Sequence, residues 1–155
     1  MRRLVLGVGN PIMSDDKVGI AVAEVLAGRL GDRAELRTSE RGGLDLVELL
    51  DGCDHAVVVD AWLAPDQPPG TILVRRVEDF SGSQHLYGAH GVDLPTALQL
   101  GRVLGGDMPA RVDVVGVVVA DPFTVSERMT PAVADAVDRT AERVLALLAA
   151  PPSPS

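Results

Sequence analysis

Only one cysteine, Cys53, occurs in 155 residues, which excludes an internal disulfide and any zinc site built from several thiolates. Aromatic residues make up 3%, so the core has to be assembled from aliphatic side chains with little stacking surface. Positive charge is also short, since 14 Lys and Arg face 22 Asp and Glu for a formal net charge of -8. A basic face for nucleic acid or for an anionic bilayer would have to form against that whole field. No apolar run approaches a membrane span, and the first residues enter a strand-like stretch without a signal-peptide pattern. The composition therefore predicts a cytoplasmic protein with no nucleic-acid or membrane partner.

What is present is a chain of single-domain length with 46% hydrophobic residues, enough to bury roughly 70% of its unfolded surface. Strand and helix signals alternate along it. Strands are predicted at Arg3 to Gly9, Ala34 to Ser39, His55 to Asp60, Thr71 to Arg76 and Val112 to Val119. Helices are predicted at Asp16 to Leu30 (capped by Ser14 or Asp15), Gly43 to Leu50 and Asp93 to Leu104, and from Thr130-Pro131 onward. The last carries Val133, Val137, Ala141, Val144, Leu145 and Leu148 on one face. This order predicts a single-domain α/β three-layer sandwich: a mostly parallel central sheet, mixed at an edge, with helices on both faces. The domain is expected over 1–150, followed by a disordered tail at 151–155.

The segment from Gly7 to Gly19, GVGNPIMSDDKVG, says most. It joins an apolar strand to an amphipathic helix through a glycine loop and places two acids at the helix start. Gly7 and Gly9 match half of a dinucleotide fingerprint, but Ile12 replaces the third glycine, and Asp15 and Asp16 would oppose a pyrophosphate. No Gly-x-Ser-x-Gly elbow supports a serine hydrolase. In open α/β sheets, ligands sit at the carboxyl ends of the strands. Asn10, Asp15 and Asp16 follow the first strand, and Asp60 ends the Val57-Val58-Val59 run. His90 lies in the aperiodic stretch Val77 to Val92, of a length usually functional or disordered. Two carboxylates and an imidazole converging on one edge suit a divalent metal such as nickel, zinc or manganese. One acid suffices for capping, so Asp15 is assigned to the helix start and Asp16 to the site. His55 and His85 are expected at the surface, and Cys53 in a surface turn or half-buried.

Leu-Gly-Val-Gly-Asn-Pro with Asp15-Asp16 and Gly19, then Val58-Val59-Asp60-Ala61, then His90 ahead of Leu94-Pro95-Thr96-Ala97-Leu98, resembles the nickel–iron hydrogenase maturation proteases. The likeness runs from Arg3 to the C-terminal helix, including Val115-Gly116 and Thr130-Pro131. It implies one α/β domain with helices flanking a central sheet, and nickel bound by Asp16, Asp60 and His90, which would also be the catalytic set. It further implies an endopeptidase that trims a C-terminal peptide from the hydrogenase large-subunit precursor once nickel is inserted. Nickel would then arrive with the substrate as the recognition signal. Asn10, Gly42 and Gly43 are assigned to substrate contact and loop shaping, and the enzyme is expected to be a monomer. Two departures stand out: Thr38-Ser39-Glu40-Arg41 replaces the family's usual Asp-Gly-Gly-Thr segment, and Ala120-Asp121-Pro122 follows the last strand only loosely in pattern. The rival reading is a nickel-binding maturation chaperone that does not cut.

Overall fold

A computed structural model describes residues 1–79 and 93–149. Five strands, β1 (Arg3–Val8), β2 (Glu35–Ser39), β3 (His55–Trp62), β4 (Ile72–Arg76) and β5 (Arg111–Val118), form one sheet in the order β2-β1-β3-β5-β4. Strands β2, β1, β3 and β5 run parallel, and β4 joins the edge antiparallel to β5. The helices are α1 (Val18–Leu26), α2 (Val47–Leu50), α3 (Leu94–Val103) and α4 (Pro131–Ala149). Short 3-10 turns at Ser14–Lys17 and Gly43–Leu46 lead into α1 and α2. The expected sandwich with its mixed edge is the observed one.

Strand alternation builds two cores. Val5, Val57, Val59, Ala61, Val115 and Val117 pack under α1 and α4. Leu4, Leu6, Val8, Ala56, Val58, Val112 and Val114 pack on the other face with Leu46 and Leu50, and with Leu94 and Leu98 of α3. Central strand β3 is buried along all eight residues, as a parallel strand covered on both faces must be. Edge strand β2 is mostly exposed and carries Glu35 and Arg37, charges that discourage further strand pairing. Truncating fully buried Leu6 to Ala would cost about 2–5 kcal/mol.

Several boundaries differ from expectation. Helix α1 stops at Leu26 rather than Leu30, because Ala27 turns extended and Gly28 takes a positive φ of 80°. Neither Ser14 nor Asp15 caps this helix with its side chain. Strand β3 runs two residues past Asp60. Helix α3 follows its prediction closely: Asp93 caps it, accepting a 2.8 Å hydrogen bond from the Thr96 amide, with Pro95 in the first turn. The expected tail lies outside the described residues. Among the described residues, no helix is long and apolar enough to cross a membrane.

Candidate functional site

From β1 the chain passes outward to β2, then returns to β3 on the other side of β1. The crevice beyond the carboxyl ends of β1 and β3 is therefore a topological switch point, the usual ligand position in such sheets. The glycines of the first motif bring backbone together at this crevice. A Cβ at Gly9 would overlap the Asp16 carbonyl oxygen, and one at Gly19 would overlap the carbonyls of Val8 and Val59. Their spacing is thus filled by the protein's own backbone rather than held open for a phosphate. Asn10 shapes the loop as its side-chain oxygen accepts from the Ile12 amide at 3.2 Å.

The two acids have separate surroundings. Asp16 is 4% exposed, and its Oδ2 accepts from the Asn10 amide at 3.1 Å, which places this carboxylate over the end of β1. Asp15 is fully buried and turns the other way. Its Oδ2 accepts from the amides of Ala120 at 2.9 Å and Asp121 at 2.8 Å. Its Oδ1 accepts from the Thr130 amide at 2.7 Å, and the Thr130 hydroxyl reaches both oxygens. Asp15 therefore supports a helix start, but that of α4 and not of its own helix. Thr130, absent from the expected site, does this from a distant part of the chain.

Asp60 is fully buried in β3, opposite Gly116 of β5. Its Oδ1 accepts from the Ala61 amide at 2.8 Å. It shares the strand face of Ala56 and Val58, which is the face covered by α3. Asp16 and Asp60 thus follow or occupy neighbouring strands at one edge. The turn carrying Asp16 packs against β3. Residue His90 lies outside the described residues, as does His85. The described chain resumes at Asp93 to enter α3 on the same face as Asp60. Among the described residues, no group of three potential ligands is gathered; of the three expected ligands, Asp16 and Asp60 are described and His90 is not.

Gly42 and Gly43 lie beyond β2 on the same edge, and Gly43 takes a positive φ of 59° as it opens the turn into α2. Ile12, Phe123 and Val125 are exposed in the loops that follow β1 and β5. The loops bearing them are joined by a bridge between Met13 and Val125 and by the Ser126 amide donating to the Ile12 carbonyl at 2.9 Å. Asp121 organises its own loop. The Thr124 hydroxyl and the amides of Phe123 and Thr124 donate to it, and these bonds hold its carboxyl below the usual range.

Two expectations fail at the opposite edge. His55 is not at the surface: it is 6% exposed, with Nε2 2.7 Å from Asp113 Oδ2. Arg111 and Arg76 also reach the Asp113 carboxylate, at 2.8 and 3.3 Å. Burial would raise the Asp113 pKa, but the hydrogen bonds from His55 and Arg111 outweigh it and the net shift is downward. Cys53 is buried rather than half-exposed, and burial pushes its thiol up to about 11. It is therefore a poor nucleophile. A surface cavity of about 520 Å³, lined by Arg2, Arg3, Arg33 and Glu35 among others, also opens at this end and is remote from Asp16 and Asp60.

Comparison with known proteins identifies the family of the chain. The family model described as "Hydrogenase maturation protease" matches residues 20–147. The chain is 30% identical over 151 residues to the hydrogenase 2 maturation protease of Escherichia coli K12, spanning 96% of this chain and 91% of that protein. Its fold is similar to the hydrogenase maturating endopeptidase HybD from E. coli, with a TM-score of 0.80 and 29% identity over 96% and 92% of the two chains. HybD from Thermococcus kodakarensis, at 23% identity and a TM-score of 0.75 over 96% and 99% of the two chains, shares the fold. With the family model matching most of its length and a 30% identical relative spanning nearly all of it, the protein belongs to the hydrogenase maturation proteases.

Proposed function

We propose that this protein cleaves the C-terminal extension from the large-subunit precursor of a nickel–iron hydrogenase after nickel has been inserted. Asp16, Asp60 and His90 would receive the precursor's nickel, and the metal would thereby anchor the precursor with its scissile bond at the sheet edge. The observation that carries this reading is the pair of buried carboxylates at the β1/β3 switch point, Asp16 at 4% and Asp60 at 0% exposure. Charge is costly to bury, and two acids at one edge of a chain of net charge -8 form a setting that a cation relieves. Oxygen donors with an imidazole suit a divalent first-row metal. Peptide hydrolysis also needs an acceptor for the proton of the attacking water and a donor to the leaving nitrogen. The same ionisable groups are assigned to that edge. Ile12, Phe123 and Val125 give a polypeptide an apolar rim to lie against, with Asn10, Gly42 and Gly43 shaping the loops beside it. The protein would act as a cytoplasmic monomer that pairs transiently with its substrate.

The test is the intact mass of the hydrogenase large subunit in cells lacking this gene, complemented by wild type, Asp16→Asn or His90→Ala. Only wild type should restore the shortened mass. If either variant restores it fully, the ligand assignment is wrong. If a complex forms with the precursor but wild type never shortens it, the protein is a nickel-binding chaperone.

A further inference from the structure

The 3-10 turn that presents Asp16 is fastened to one distant segment of the chain. The Ser14 amide donates to the Ser126 carbonyl at 2.8 Å, the Ser14 hydroxyl to the Arg128 carbonyl at 3.1 Å, and the Asp15 amide to the Asp121 carbonyl at 3.0 Å. Lys17 Nζ donates to the Glu127 carbonyl at 3.1 Å. Ser14 itself has φ of 27°, and no other non-glycine residue among those described has a positive φ. Such a conformation persists only where surrounding contacts over-determine it. The most buried of those contacts is the Asp15 carboxylate.

Satisfying the Thr130 amide at the start of α4 would require one acceptor, which a nearby residue could supply. Here the acceptor is the residue immediately before Asp16. Its remaining capacity is spent on Ala120 and Asp121, just beyond the end of β5. We propose that Asp15 is a positioning residue for the cleavage reaction. By joining the first turn, the exit of β5 and the start of α4, it aims the neighbouring Asp16 carboxylate. Asp15 touches no substrate and acts through Asp16, so the proposal rests on the role assigned to Asp16 above. Oδ1 faces the Thr130 amide and Oδ2 the amides of Ala120 and Asp121. Either orientation of an asparagine would therefore set an NH2 group against amides that can only donate.

The experiment measures kcat and KM for processing of nickel-loaded precursor by full-length wild type, Asp15→Asn, Thr130→Val, Thr130→Ser and Asp16→Asn. Each is assayed well below its own melting temperature and scaled to the folded fraction. A positioning role predicts that Asp15→Asn lowers kcat by about 10–100-fold, the range found for groups that orient metal ligands, with KM within about twofold of wild type. Thr130→Val, which keeps the amide and loses the hydroxyl, should lower kcat less, and Thr130→Ser should restore it. These two decide the matter if Asp15→Asn does not fold. A lowered melting temperature with wild-type kcat per folded molecule, in Asp15→Asn or in Thr130→Val, would overturn the proposal and leave Asp15 a structural staple. If Asp16→Asn instead processes normally, the assignment of Asp16 fails and takes the proposal with it.

Discussion

At the N-terminal end of the sheet, Asp113 is met by His55, Arg111 and Arg76. At the C-terminal end, Asp15 is met by three backbone amides and a threonine hydroxyl, while the amides of Asn10 and Ala61 donate to Asp16 and Asp60. Both ends bury aspartate, yet they use it differently. Guanidinium groups compensate Asp113 inside the molecule, which makes it an anchor between β3, β4 and β5. Backbone dipoles hold Asp15 and give it position as much as stability. The difference separates acids that hold the sheet together from acids assigned to the reaction, and each side can be perturbed without the other.

The largest effect is expected from Asp16→Asn or Asp60→Asn. Processing of the precursor should fall by more than about 100-fold, beyond the loss typical of groups one shell further out. Thermal melting should show little change, and an equal loss of activity and melting temperature would erase the contrast between the two ends. Next comes Asp113→Asn, which strands Arg111 and Arg76. With Arg76 39% exposed, solvent absorbs part of the penalty, leaving about 2–3 kcal/mol. Calorimetry should show the melting temperature reduced by about 4–12 °C, while processing per folded molecule stays at the wild-type rate. A third perturbation touches the site edge through packing alone. A Cβ at Gly116 would overlap the indole of Trp62, so Gly116→Ala should cost about 1–3 kcal/mol. The shift should be visible in the emission of Trp62, the chain's one tryptophan. Unchanged emission would show that β5 yields instead of the ring.

The smallest effect concerns acid. The Asp113 carboxyl is held below its ordinary value of 3.8 in the folded state. The stability it contributes is therefore complete above that value and is lost as pH falls below it toward the folded pKa. In urea titrations across this window, wild type should lose stability more steeply than Asp113→Asn. Parallel curves would mean that His55 and Arg111 do not hold the carboxylate charged.

Local patterns made much of this legible. Buried valine runs marked β3 and β5, and Asp93 with Pro95 marked the start of α3. The glycine and acid spacing of the first motif marked the edge where Asp16 lies. What the chain concealed depends on partners far apart in sequence. Thr130 reaches Asp15 across 115 residues, and a lone threonine before Pro131 reads simply as a helix start. His55 was expected at the surface because nothing local pairs it. Its partner Asp113 comes alongside only when β3 and β5 become neighbours. Apolar spacing continues past Leu26 to Leu30, whereas the left-handed turn at Gly28 decides where α1 ends.

The attachment of the first motif to α4 also sets a timetable. A ribosome adds about 5–20 residues per second, so Asp15 emerges roughly 6 to 23 seconds before Thr130, the residue that must meet it. At its other end α4 also meets the chain's opening residues, since an Arg3 guanidinium nitrogen donates to the Leu148 carbonyl at 3.4 Å. During that interval β1, β2 and β3 can align while the acidic turn lacks its fastening. A nascent chain can therefore pair its first three strands before the turn bearing Asp16 is fastened, and that fastening waits for Thr130 at the start of α4.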